Sequence, residues 1–305
     1  MDLTPNADQI AILDALDSLV RPYEAVSLHA TGFALTDAAL DRDLAEGGFL
    51  DVGFDPELGV GTAALIVERL ARLPQASEVA LASIVRPLLA GVGAEPLCLV
   101  EEGRLRRPLR YLREGARVVV VGAESVTSFI VGVGMARAEP AALFGYPVGT
   151  LLALPSERIS HGHAVEPLRL RWRIAIAAEA AGLLAAALAS VCAHVRERQQ
   201  FGRAIASFQA VRHRLAEAQV RSNGVYWLAM KAAATLDPAD AALACHHAQE
   251  TARVVVYDFH QFLGGMGMTL EHPLHLWTYR LKHLIGELGG RGANALAAAE
   301  SLWGD

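Results

Sequence analysis

The chain changes its hydrophobic period twice. Up to about residue 90, apolar residues recur every three or four positions; near Pro96 they give way to short β-branched runs; from Pro167 to the end the helical spacing returns. In the first part, Ile10, Leu13, Leu16, Leu19 and Val20 predict a helix opening at Thr4-Pro5, where the proline's missing donor costs nothing. Thr36-Asp37 is an N-cap signal for a second helix with the stripe Leu40, Leu44 and Ala45, stopped by Gly47-Gly48. A third runs from Gly59 through Leu65, Ile66, Leu70 and Leu73 to Pro74, and a fourth covers Ser77 to Leu89. Leu97–Val100, Arg117–Val121, Ser128–Val131 and Leu151–Leu154 read as strands separated by turn residues.

Beyond Pro167, Ala177, Ala181, Leu184, Leu188, Val191 and Val195 alternate steps of four and three, the seam of a packed helix. Arg196 and Arg198 complement the dipole at its end, and Gly202 breaks the chain. Further helices are expected over Ser207–Leu236, from Asp237-Pro238 to Leu263, over Leu274–Leu288 and over Ala293–Leu302. Antiparallel helices joined by short loops make a bundle. The expected fold is therefore mainly α with a small β-domain: an N-terminal helical domain over 1–90, a reduced middle β-domain over 91–163, and a C-terminal four-helix bundle within 164–305.

Composition narrows the class. The 305 residues are 53% hydrophobic and 20% charged, apolar enough to suggest surface hidden in an oligomer. No run of about twenty purely apolar residues stands out, so a membrane span is not expected. The net charge of −6 argues against nucleic acid as a partner. No basic, apolar leader opens the chain, and Cys98, Cys192 and Cys245 are odd in number and far apart, as befits reduced thiols in the cytoplasm.

Two turns carry the candidate chemistry. Arg198-Gln199-Gln200-Phe201-Gly202 leads to Phe208-Gln209, and Gln261-Phe262-Leu263-Gly264-Gly265-Met266-Gly267 follows downstream. Arg198 offers a planar fork of donors suited to a pyrophosphate. Phe201 can cover a ribose or ring edge, Gln209 and Gln261 can donate to sugar or phosphate oxygens, and Gly264 and Gly265 let backbone approach a ligand. Each residue alone is equally at home in a helix end; the pattern in this order is more specific.

In that order the turns resemble the C-terminal domain of the acyl-CoA dehydrogenases. There an R-x-Q-F-G…F-Q turn and a Q-x-x-G-G-x-G turn hold FAD bound mainly by a neighbouring subunit. The resemblance implies FAD contacts for Arg198, Gln200, Phe201, Phe208, Gln209, Gln261, Gly264 and Gly265; Arg203, between them, is expected to face solvent and to tolerate alanine. Glu46–Gly53 and Pro56–Gly61 loosely match the family's N-terminal domain. The middle region departs: no T-E-P-x-x-G-S-D-type loop is found, Ala94-Glu95-Pro96-Leu97 being the nearest fragment. In the family that loop lines the flavin and the acyl chain.

The family's chemistry removes a proton beside the thioester carbonyl with a glutamate while a hydride passes to the flavin. In one branch the glutamate's place, counted from Gly264-Gly265, falls on Leu288, with Glu287 one residue off. In the other, counted back from Arg198, it falls on Trp172; Glu179 lies about 10 Å further along the helix. No residue is a clear base, and Glu287 is the candidate. A chain that keeps the half-site serving a neighbour's flavin and loses its own resembles the short subunits of heteromeric acyl-CoA dehydrogenases, which actinobacteria use on steroid-derived CoA thioesters. The resemblance implies a longer acyl-CoA dehydrogenase partner in a heterotetramer, an acyl-CoA substrate, and electron-transfer flavoprotein as electron acceptor. Two alternatives stay open: a self-sufficient homo-oligomer with Glu287 as base, and a flavin-free structural subunit.

Other clusters point less far. His246, His247 and Glu250 are close in sequence, but the two histidines point about 100° apart on a helix, so no metal site is expected. The run Arg104, Arg106, Arg107 and Arg110 reads as a solvated face that could also meet CoA phosphates.

Overall fold

The computed structural model describes residues 2–25, 36–140 and 145–304. Three helices lead: α1 (Ala7–Val20), α2 (Ala38–Glu46) and α3 (Gly59–Ala71). α1 opens at Asn6 rather than at Thr4-Pro5. The Asn6 side chain accepts from Gln9 N–H and the Gln9 side chain accepts from Asn6 N–H, a reciprocal cap that Pro5 cannot build. Asp37 caps α2 as expected. The stretch expected as a fourth helix is π-helical over Ala80–Val85 and tightens to a 3₁₀ turn over Arg86–Leu88, because Pro87 ends the donor ladder.

Seven short strands follow. Four form one sheet in the order β1 (Leu97–Glu101), β3 (Arg117–Val121), β4 (Val126–Ile130), β7 (Ile159–Ser160). The others form a second in the order β2 (Leu109–Arg110), β6 (Val148–Leu151), β5 (Ala136–Ala138). β1 runs parallel to β3, with Cys98 opposite Val118 and Val100 opposite Val120. Both faces of β3 are covered, which is why it reads as an unbroken valine run. Val119 and Val121 face the helices; Val118 and Val120 face Tyr111, Phe129 and Tyr146 in a second core.

The long helix α4 (Val165–Glu197) is the spine of the rest, packed against α3, α5 (Gln209–Thr235), α6 (Pro238–Leu263) and α7 (His275–Leu284). The expected seam from Ala177 to Val195 is buried. Among the described residues α4 alone is long and apolar enough to cross a membrane, and 78% of its most apolar stretch is buried inside the protein, as in a core helix. At Gly182 it crosses α3 so closely that a Cβ would sit 2.1 Å from the Glu68 carbonyl oxygen. α7 stops at Leu284, short of Leu288, whose φ of 49° lies in the left-handed region before α8 (Gly290–Trp303) starts. One continuous core takes in α1 to α3, the bundle and one face of the first sheet. Long-range polar bonds seal it: Trp277 Nε1 donates to the Arg72 carbonyl at 2.9 Å, and the fully buried Arg280 donates to the carbonyls of Leu73 at 2.6 Å and Gln75 at 2.9 Å.

Candidate functional site

Between α4 and α5 the chain forms a miniature hairpin, β8 (Gln199–Gln200) against β9 (Arg203–Ala204), closed by Ile205 N–H donating to the Arg198 carbonyl at 2.9 Å. Its two-residue turn is Phe201-Gly202, with φ of 56° and 78°. Both positions are left-handed, the geometry that matches strand twist and favours glycine. A phenylalanine there is strained by about 1–2 kcal/mol. Phe201 is nevertheless 87% exposed, so its ring is not held there by a core. It meets Phe208 edge-on at 6.0 Å. Arg198, Gln200 and Gln209 are exposed on the same turn, and among the described residues the Arg198 guanidinium makes no hydrogen bond or ion pair. Arg203 is exposed too, but its guanidinium lies 4.1 Å over the Phe208 ring instead of reaching freely into solvent.

The second turn assigns each glycine a different reason. Gly264 ends α6 at φ 59°, ψ −131°, which L-residues avoid. Gly267 packs so tightly that a Cβ would lie 2.4 Å from the His260 carbonyl oxygen. Gly265 has neither constraint: its φ is not positive, and a Cβ there would meet nothing within 4 Å among the described residues. Gln261 is exposed one turn earlier. The two turns lie at one end of the bundle, linked by His194 of α4 and His272, whose rings meet edge-on at 5.5 Å. His272 also accepts from Leu274 N–H through Nδ1 at 3.2 Å. Burial first, then the neighbouring His194, His275 and His260, push its pKa down to about 4.

A second constellation lies away from these turns. Arg110 is buried on β2 and spans two carboxylates: its Nη1 donates to Glu179 Oε2 at 2.9 Å, and its Nε and Nη2 reach Glu287 Oε1 and Oε2 at 2.6 and 3.1 Å. Trp172 Nε1 donates to Glu287 Oε2 at 2.9 Å, His283 stands 3.4 Å from Oε1, and Tyr146 Oη donates to Glu179 at 2.7 Å. Burial alone would raise the Glu287 pKa. The Arg110 charge, with His283 and Trp172, overcomes it and holds the carboxyl at about 2. A base for a C–H beside a carbonyl needs the opposite shift, toward neutrality. Sequence reasoning placed Arg110 in a solvated run; it is 6% exposed and the centre of this cluster. No local signal could show that, since Glu287 is 177 residues away.

Beside the cluster is a half-open cavity of about 280 Å³, walled by Trp172, Leu81, Leu99, Leu109 and Leu288, with Glu287 and Arg110 at its inner end. It lies just under the range of about 300–1,000 Å³ for drug-sized ligands, and FAD is larger than those. What fits a flavin is the outward-facing end of the bundle, with its uncommitted guanidinium, bare ring and open glycine. His246 and His247 diverge, the first bonded to the Arg291 carbonyl, the second lying against Gly224, and no cluster of three metal-ligating side chains occurs among the described residues.

A long-helix bundle behind a small sheeted region, with these two turns at its end, is the acyl-CoA dehydrogenase fold. Residues 170–292 match the family model "Acyl-CoA dehydrogenase, C-terminal domain", and that part of the chain is such a domain. FadE34 of Mycobacterium tuberculosis, an acyl-CoA dehydrogenase, is 37% identical over 124 residues, a match that takes in 38% of this chain and only 17% of that protein. The acyl-CoA dehydrogenase IpdE2 of Mycolicibacterium smegmatis is 29% identical over 75% of this chain and 83% of its own length. The fold is shared with the ChsE4-ChsE5 complex of Mycobacterium tuberculosis (TM-score 0.77, 20% identity, 99% of both chains). It is shared as well with the Tcur3481-Tcur3483 steroid ACAD (TM-score 0.69, 22% identity, 96% of this chain and 95% of that one).

Proposed function

We propose that the chain is a subunit of a heteromeric acyl-CoA dehydrogenase that completes the flavin site of a longer partner and does not itself supply the base. The observation that carries this reading is the Arg110–Glu287 pair. Glu287, the carboxylate next in sequence to the base position, is clamped from one side by a guanidinium and from the other by an indole N–H. It is an acceptor fully engaged, and the low pKa keeps it ionised without making it basic.

The outward turns supply the complementary half. FAD, when bound, accepts the hydride that leaves the acyl β-carbon. Arg198 would pair with its pyrophosphate, Phe201 and Phe208 would cover its ribose or ring edge, and Gln200, Gln209 and Gln261 would donate to sugar or phosphate oxygens. The backbone at Gly264-Gly265 would lie against it. Two features support this assignment: a strained, exposed Phe201, and a Gly265 that the chain's own packing does not require. We further propose a bulky, steroid-derived acyl-CoA as substrate, on the likeness in fold to a steroid ACAD with two named components. Electron-transfer flavoprotein would be the electron acceptor, and the three free thiols support a cytosolic location.

The test is co-purification with the product of a neighbouring longer homologue, followed by flavin and turnover measurements with a panel of CoA thioesters. A yellow complex whose turnover survives Glu287→Gln is expected. A yellow, active protein from this chain alone, inactivated by Glu287→Gln, would establish the self-sufficient enzyme instead. A colourless complex would leave a structural subunit.

A further inference from the structure

The cavity beside Trp172 is not emptied of chemistry by the Arg110–Glu287 pair. Its walls are leucines and an indole, and its rim carries two exposed cations, Arg107 and Lys282. Neither has a carboxylate partner among the described residues; Lys282 lies 4.4 Å over the Tyr279 ring. Arg104, also at the rim, is already held by Glu101 at 3.2 Å and by the Gly286 carbonyl at 2.7 Å. The inner end offers no such welcome. There all three side-chain nitrogens of Arg110 are already engaged by Glu179 and Glu287. An anion entering head-first would find no free donor in that guanidinium; one entering tail-first would lay its apolar body along the leucines and leave its head beside Arg107 and Lys282.

We propose that this cavity binds a small apolar carboxylate, tail inward and head at the Arg107–Lys282 rim, as an unesterified acid and not as a CoA thioester. The proposal rests on the reading that this chain's own site is closed to catalysis, and gives the closed site a ligand. The volume suits a tail of medium length, and cations at the rim of an apolar slot are the recognition elements for an amphipathic anion.

The probe is sodium octanoate, titrated calorimetrically into the purified chain in whatever assembly it forms. Comparison arms use 1-octanol, coenzyme A and octanoyl-CoA. Octanoate is expected to bind, and Arg107→Ala/Lys282→Ala to weaken it at least tenfold while leaving 1-octanol unchanged. Arg106→Ala, outside the cavity, should change neither. Circular dichroism and melting temperature of the variants check that the fold is kept. Equal octanoate binding by the double variant, no octanoate binding at all, or binding of octanoyl-CoA without octanoate would each overturn the proposal. None of these outcomes uses turnover, so they leave the non-catalytic reading standing. Octanoyl-CoA oxidation by this chain alone would sink that reading separately.

Discussion

Arg110 and Glu287 lie 177 residues apart in sequence, and the guanidinium grips both oxygens of the carboxylate through two of its nitrogens. Both are withdrawn from solvent, so the pair is sensitive to loss of one member. Arg110→Leu leaves two buried carboxylates uncompensated and is expected to destabilise the chain by about 3–5 kcal/mol. Adding Glu287→Leu should recover part of that loss. Urea denaturation of the two single variants and the double variant measures the coupling; strictly additive effects would contradict the pairing.

Glu287→Gln keeps the size of the side chain and removes its charge. Turnover of the heteromeric complex is expected to stay within about threefold of the parent, since removing a true general base costs about 10²–10⁴. A loss of that larger size would return Glu287 to catalysis.

Arg198→Ala should lower flavin retention at least tenfold, because each charge-assisted hydrogen bond contributes about 1.5–3 kcal/mol. Arg198→Lys should rescue only partly, since an ammonium cannot fork. Arg42, exposed and on α2, is the control and should tolerate alanine. Arg203, stacked on Phe208, is unsuited to that purpose. Flavin per complex after gel filtration, read by absorbance, decides.

The glycines of the second turn allow a sharper separation. Gly265→Ala meets open space and should leave the melting temperature unchanged while reducing bound flavin. Gly267→Ala drives a methyl into the His260 carbonyl and should destabilise by about 1–3 kcal/mol. If Gly265→Ala lowered stability and spared the flavin, the turn would have no outward role.

His272 sets an acid limit on this end of the molecule. Its folded pKa of about 4 lies below its ordinary value of 6.5, so between those values the unfolded chain binds more protons than the folded one. The contribution is present above pH 6.5 and is lost as pH falls toward 4. His272→Asn should flatten that part of the stability–pH curve; an unchanged curve would remove His272 as the cause.

Much of this architecture is legible in the sequence because its elements are long. The seam of α4, the Asp37 cap and the valine run of β3 all state their structure locally. The two turns are legible as well, since glycine at left-handed or crowded positions leaves a mark. What escapes is short or distant. Strands of two to four residues, such as β2, β5 and β7, show no period. Leu288 carries no sign that its φ is positive. Arg110 looks like its neighbours Arg106 and Arg107 until the second sheet buries it against residues of α4 and of the segment before α8.

The bonds from Trp277 and Arg280 to the carbonyls of Arg72, Leu73 and Gln75 impose a schedule on synthesis. Those carbonyls leave the ribosome about 200 residues before their donors, and at about 5–20 residues per second the wait is roughly 10–40 s. Until Val165–Glu197 has followed, the apolar face of α3 lacks α4, and α7 is missing for the whole interval. The nascent N-terminal third is thus a natural client for a holding chaperone, and slower translation would lengthen its exposure.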